Sequence, residues 1–187
     1  MKKFLSILFI IIAVLATTFC IPNNVYASDY VDFNYGWSTR PITVYADMTF
    51  NSNEISQIKQ AINTWNSTRF GTFFVYGGTM NRFSILSLPG ICGITKDAFP
   101  NDSSTIASTL STGNGTTITK FVTTLNSNIS FNNISGSPYY LKSVVMHELG
   151  HGLGLNHSIF SNSFMYKYGN GITTFLESDL EKIDKLY

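Results

Sequence analysis

The feature that most constrains this chain is the eleven-residue segment 147–157, whose sequence is HELGHGLGLNH. The chain has 3 histidines in all, and every one of them falls in this segment. Side chains four positions apart on a helix project from one face, so His147 and His151 can bind the same metal ion. Gly154 tolerates a backbone with φ > 0, so the chain can leave the helix abruptly and bring His157 back as a third ligand.

Three neutral imidazoles are the ligand set of a catalytic zinc site, because zinc is four-coordinate and one position stays open. Zinc in such a site polarises a carbonyl and makes water acidic enough to lose a proton near neutral pH. Glu148 lies beside the first ligand and one turn from the second, so it can accept that proton without binding the metal. The segment therefore predicts one Zn²⁺, held by His147, His151 and His157, with Glu148 as the general base.

The first 27 residues have the pattern of a secretory signal peptide. Two lysines precede an almost wholly apolar stretch at 4–16, and small residues precede Ser28 at the spacing that a signal peptidase requires. We expect cleavage after Ala27, which leaves residues 28–187 as a single extracellular domain that is secreted and no longer attached to a membrane. A protein tethered to the membrane by an uncleaved N-terminus is the alternative.

The charge of the mature chain gives no support for several kinds of partner, and its cysteine content excludes an intramolecular disulfide bond. Without the two lysines of the signal peptide, 10 basic residues stand against 11 acidic ones, and no charge run points to nucleic acid or an anionic membrane. Cys92 is the only cysteine of the mature chain, so no intramolecular disulfide can form. We expect Cys92 to be a small buried apolar residue, with a reactive thiol as the alternative. Nothing in the sequence argues for more than a monomer.

Local patterns predict an α+β domain with both helices and strands. Three helices are expected, at 51–68, at 137–154 and from Ser178 to the C-terminus, each beginning with a polar capping residue. The first carries an apolar stripe typical of a core-facing helix. Runs of β-branched and aromatic residues predict four strands, and a stretch dense in Ser, Thr, Asn and Gly is expected to be mostly loop. The strands are expected at 41–46, 72–76, 82–88 and 118–125, and the loop at 100–117.

The segment 147–157 resembles the long zinc-binding motif of the metzincin metallopeptidases. Residues 163–166 (SFMY) resemble the Met-turn of the same clan. Within the metzincins the similarity is to the matrixin family, because Ser158 follows the third histidine and residues 178–187 resemble the last helix of a matrixin catalytic domain. The similarity covers most of residues 37–187.

That resemblance implies a metzincin (zincin-like) α+β fold: a twisted mixed sheet, two long helices of which the second bears the site, a Met-turn and a short C-terminal helix. It implies a secreted zinc metalloendopeptidase, with Met165 beneath the zinc ligands and a protein or peptide substrate extended along a sheet edge. Calcium, which some relatives bind, is unsupported because few acidic residues cluster in the central loops. A zinc-dependent peptide-binding protein without turnover is the alternative, and the intact Glu148 argues against it.

Overall fold

The computed structural model of the chain describes residues 36–99, 102 and 104–187, so the predicted signal peptide lies outside the described residues. The α+β expectation is confirmed, since the described residues form one five-stranded mixed sheet and four helices. None of these helices is long and apolar enough to cross a membrane. The strands are β1 (Ile42–Asp47), β2 (Phe74–Met80), β3 (Cys92–Asp97), β4 (Ala107–Asn114) and β5 (Thr117–Asn126), and the helices are α1 (Ser52–Asn66), α2 (Arg82–Ser87), α3 (Leu141–Gly152) and α4 (Glu177–Leu186).

The sheet has the strand order β2-β1-β3-β5-β4, which makes β4 an edge strand. Strand β4 runs antiparallel to β5, whereas the other neighbouring pairs are parallel. Strands β4 and β5 form a hairpin in which Thr109 lies directly opposite Thr123. One side of β4 therefore has no strand partner within the described sheet.

The core lies between the sheet and the two long helices α1 and α3. Trp65 of α1 is fully buried, and its indole Nε1 donates a hydrogen bond to the carbonyl of Met146 in α3 at 3.0 Å. Four aromatic rings pack edge-on against Trp65, which gives the geometry that aromatic pairs prefer. These rings are Phe73, Phe74, Phe164 and Phe175. The cluster joins α1, β2 and the segment after α3 into one core.

The start of α1 confirms the predicted capping box. The Asn51 Oδ1 accepts a hydrogen bond from the Glu54 backbone N–H at 3.0 Å, and the Glu54 Oε2 accepts one from the Asn51 N–H at 2.9 Å. The helix ends at Asn66, two residues before the expected end. The Asn66 side chain then bonds to the backbone of Phe73 and Phe74, so it ties the end of α1 to the start of β2.

The strands of the first half of the domain differ from the predictions in three places. The segment predicted as a strand at 82–88 is the helix α2, whose N-cap Asn81 accepts a hydrogen bond from the Ser84 N–H at 2.9 Å. A short apolar run fits either structure, and the capping residue decides here. The strand predicted at 72–76 is present as β2 but extends to Met80 through Gly77 and Gly78, and β3 was not predicted.

The prediction of a loop over 100–117 is wrong at Ala107–Asn114, which forms β4. Its inward-facing positions include Ala107 and Thr109, which are buried, while Leu110 faces solvent. A buried threonine reads as polar in a sequence pattern, so the alternation of a half-buried strand is hidden. Thr109 is tolerated in the interior because its hydroxyl is hydrogen-bonded.

The helices predicted at 137–154 and from Ser178 are α3 and α4 of the structure, and both begin at residues other than those predicted. Helix α3 begins at Leu141, because residues 137–140 form a turn closed by a 3.0 Å bond from the Tyr140 N–H to the Ser137 carbonyl. Helix α4 begins at Glu177, two residues earlier than the expected cap Ser178 allows. Its first turn is held by Asp179, whose Oδ2 accepts a hydrogen bond from the Leu176 N–H at 3.1 Å.

Candidate metal centre

The end of helix α3 brings the three histidines together. The helix closes with two hydrogen bonds, from the Leu155 N–H to the Gly150 carbonyl and from the Gly154 N–H to the His151 carbonyl, both 2.9 Å long. This is a Schellman motif, which requires a left-handed residue after the helix, and Gly154 has φ +96°. The chain reverses at this glycine and returns His157 to the face of the helix that carries the other two imidazoles.

The Nε2 atoms of the three histidines converge on one point. The His151 Nε2 lies 3.0 Å from that of His147 and 3.1 Å from that of His157. The Nδ1 atoms of His147 and His151 lie 2.9 and 2.8 Å from the carbonyls of Phe164 and Leu155. A carbonyl can only accept, so Nδ1 carries the proton in both rings and Nε2 keeps its lone pair.

Converging lone pairs are the donor set that a small cation requires. Nitrogen–zinc distances are about 2.0–2.1 Å, so one zinc ion fits between nitrogens that lie this close together. Burial is the main cause that holds the pKa of His147 well below its usual range, and the neighbouring His151 and His157 add to the effect. The imidazole therefore stays neutral and can bind a metal ion. The three histidines therefore fit a zinc ion, and they form a group that could hold a metal.

The predicted Met-turn lies directly against this group. Met165 is buried beneath helix α3, and a Cβ placed on Gly150 would overlap its sulfur, so glycine is needed between the two helical histidines. The turn is anchored on both sides. Its Met165 carbonyl accepts from the Ser158 N–H at 2.7 Å, and the Ser163 hydroxyl donates to Asp179 of α4 at 2.6 Å.

Glu148 is 2% exposed, so its carboxylate is buried. Its Oε2 accepts a hydrogen bond from the Thr109 hydroxyl at 2.6 Å, so strand β4 contacts the carboxylate directly. Burial raises the pKa of Glu148 to about 7, and the hydrogen bond from Thr109 opposes that rise. A carboxyl group with a pKa near neutral is suited to both accept and release a proton.

A cavity opens beside Glu148 and His147. Apolar groups of Ile106, Val144 and Phe164 form much of its wall, and residues 166–170 close its far side. The edge strand β4 runs along the same side of helix α3, where the Ser111 hydroxyl also approaches the His151 carbonyl at 3.5 Å. The site thus combines three converging imidazoles, a buried carboxylate, an apolar cavity and a strand edge that has no partner in the described sheet.

The structure brings together all four residues singled out in the sequence: His147, Glu148, His151 and His157. Sequence reasoning missed Thr109, because its segment was predicted as loop. A signal for the strand was present, since Asn114-Gly115 is a strong marker of a two-residue hairpin turn. That turn would have predicted a strand before it as well as the strand found after it.

The sequence model of the matrixin family matches residues 36–187, so the chain belongs to the matrixin family. The metzincin fold expected from the resemblance is confirmed by this match and by the architecture of the sheet and helices. Matrixins are zinc metalloendopeptidases, so the family assigns the chain to the metallopeptidase hydrolases. No curated protein matches the chain.

Proposed function

We propose that this matrixin is a secreted endopeptidase in which His147, His151 and His157 hold one zinc ion and Glu148 is the general base. The observation that carries the proposal is the convergence of three lone-pair-bearing Nε2 atoms one residue away from a buried carboxylate. Zinc held by such a set supplies Lewis-acid activation of water and of the scissile carbonyl.

The protein's own contribution to the reaction is proton transfer by Glu148. Its Oε2 is occupied by the Thr109 hydroxyl, so Oε1 is the oxygen that accepts a proton from the attacking water. The same oxygen then delivers this proton to the departing amine nitrogen, which completes hydrolysis of the peptide bond. Burial of the carboxylate suits both steps, because it weakens the preference for the charged form.

The edge strand β4 supports an extended protein or peptide segment as the substrate. A peptide that pairs with β4 adds a strand to the sheet through main-chain hydrogen bonds, which are independent of its sequence. The cavity beside Glu148 then takes a single side chain of that segment, and its apolar walls favour an apolar one. Nothing in the described residues requires a second protein chain for the site to be complete.

Secretion is part of the proposal and rests on the N-terminal sequence. Residues 1–27 are the signal peptide, and residues 28–187 are the single extracellular domain. N-terminal sequencing of the protein recovered from the culture medium should begin at Ser28. Recovery of the intact N-terminus in the membrane fraction would instead favour the tethered form.

The test of the activity is cleavage of casein by the purified protein, with Glu148→Ala and Glu181→Ala measured at matched zinc content. Glu181 is an exposed glutamate on α4, so its variant controls for the loss of a carboxylate. We expect Glu148→Ala to bind zinc as the wild type does but to lose about 10²–10⁴-fold in kcat, the usual contribution of a general base. If wild type and both variants bind zinc and none cleaves casein or a diverse peptide library, the protein is a peptide-binding module and the proposal is wrong.

A further inference from the structure

The carboxylate of Glu148 is held from one side. The Thr109 hydroxyl donates to its Oε2 at 2.6 Å, whereas no hydrogen bond from the described residues reaches Oε1. Glu148 also lines the cavity beside the histidines. One oxygen is therefore anchored to strand β4, and the other is available to a reacting group.

The hydroxyl that anchors Glu148 is itself oriented by a second threonine. The Thr109 and Thr123 hydroxyl oxygens lie 2.7 Å apart. A hydroxyl has one proton, so a Thr109 that donates to Glu148 must accept from Thr123. The direction of the whole chain, from Thr123 to Thr109 to Glu148, follows from the fact that an ionised carboxylate can only accept.

The sheet places both threonines where they can do this. Thr109 on β4 and Thr123 on β5 are opposite each other in the antiparallel register, so their side chains lie on the same face, beneath helix α3. Both are buried, at 7% and 0% exposure, so water does not compete strongly for their hydroxyls. Hydrogen bonds in such a buried chain polarise one another, and they stiffen the group at its end.

A general base works only if it is held within hydrogen-bond reach of the proton that it takes, and its supporting residues decide how well it is held. We propose that Thr109, oriented by Thr123, is a positioning residue that fixes the Glu148 carboxylate so that Oε1 faces the reacting water. This inference rests on the proposed peptidase function and assigns a role to two residues of the sheet.

The test compares four threonine variants of the purified, zinc-loaded protein in steady-state cleavage of one fluorogenic peptide. Thr109→Val keeps the shape but removes the hydroxyl, and Thr109→Ser keeps the hydroxyl. Thr123→Val removes the hydroxyl that donates to Thr109 and leaves the Thr109 hydroxyl in place. Thr95→Val is the matched control, because Thr95 is also buried on the sheet. Its hydroxyl contacts the Thr123 backbone carbonyl and the Thr124 hydroxyl instead of Glu148.

We expect Thr109→Val to lower kcat about 10- to 100-fold, the range for a lost hydrogen bond to a charged group, while KM stays within about twofold because substrate contacts are unchanged. Thr109→Ser should restore most of kcat, and Thr123→Val should lie between the two. Thr95→Val should keep the wild-type kcat. A Thr109→Val enzyme with unchanged kcat, or an equal loss in Thr95→Val, would overturn the positioning role.

Two readouts other than activity separate this inference from the proposed function. Zinc affinity, measured by competition with a chromophoric chelator, should be the same in all four variants, and a loss confined to Thr109→Val would contradict a role that acts on Glu148 alone. In urea unfolding, Thr109→Val should lower the midpoint less in a Glu148→Ala background than in the wild type, and equal shifts would show that the two side chains are not coupled. A wild type that does not cleave at all refutes the peptidase function, and the positioning role falls with it for that separate reason.

Discussion

Two buried ionisable side chains of this domain, Glu148 and Cys92, have different surroundings. Glu148 is hydrogen-bonded by Thr109 and borders the cavity, whereas Cys92 is 1% exposed within β3 and its sulfur accepts a 3.4 Å hydrogen bond from the Phe121 N–H. Burial raises the pKa of the Cys92 thiol to about 11. Burial raises both pKa values, but only Glu148 lies beside the converging histidines, whereas the Cys92 thiol is kept protonated and therefore unreactive.

Cys92 should consequently fail to react in the native protein. In a Cys20→Ser background, where Cys92 is the only thiol, the folded protein at pH 8 should show almost no reaction with a disulfide reagent such as DTNB, because the thiolate is scarce and covered. The same protein in denaturant should release one equivalent of the chromophore within minutes. Rapid stoichiometric labelling of the folded protein would favour a reactive thiol.

At the scale of elements, the turn after α3 has two roles. It satisfies the last carbonyls of the helix through the Schellman bonds, and it returns the chain so that His157 meets the helical histidines. Gly154 serves both roles because its φ of +96° is strained for any residue with a Cβ. Stability and metal affinity should therefore be linked at this position.

Gly154→Ala tests that link, with Gly71→Ala as its control. Gly71 also has a positive φ, +81°, and has open space around its Cβ position, but it lies in a turn remote from the metal centre in sequence. Each substitution should lower the free energy of unfolding by about 1–2 kcal/mol, the cost of a left-handed backbone with a side chain. Only Gly154→Ala should also weaken zinc binding in a chelator competition. Equal zinc affinities would mean that the turn does not set the position of His157.

At the scale of the whole molecule, the candidate metal centre lies where several parts of the chain meet. Helix α3 supplies two histidines, the following turn supplies the third, and the Met-turn supports them from below. Asp179 of α4 holds the Met-turn through Ser163, so the C-terminal helix is also connected to the site. A ligand that binds these parts only in the folded state must stabilise the entire domain.

Zinc should therefore raise the melting temperature of the protein. With free zinc at about 100 times Kd the gain is about 2.7 kcal/mol, which corresponds to roughly 5–10 °C for a domain of this size. Differential scanning calorimetry with zinc, and with chelator, measures the shift. His157→Ala should reduce this shift in melting temperature markedly. A wild-type melting temperature that is the same with zinc and with chelator would contradict a metal centre at these histidines.

Most of the metal centre could be predicted because its determinants are local. The spacing of His147 and His151, the neighbouring Glu148 and the helix-ending Gly154 all lie within one helix and its turn, where backbone geometry alone relates the side chains. The capping box of α1 was predicted for the same reason. The start of α3 was misplaced because Ser137 caps a separate turn, whereas the helix begins after Tyr140, whose side chain makes no capping hydrogen bond.

The sequence alone was thus enough to predict the candidate histidine group and the family fold around it. The folded structure was needed to show that residues 107–114 form the edge strand and that Thr109 contacts Glu148, 39 positions away in the chain. Strand β4 shows no hydrophobic alternation in the sequence, because its buried position 109 holds a polar threonine and its exposed position 110 holds an apolar leucine. Polar side chains become stable in the interior only when partners from other elements satisfy them, and packing alone brings those partners together.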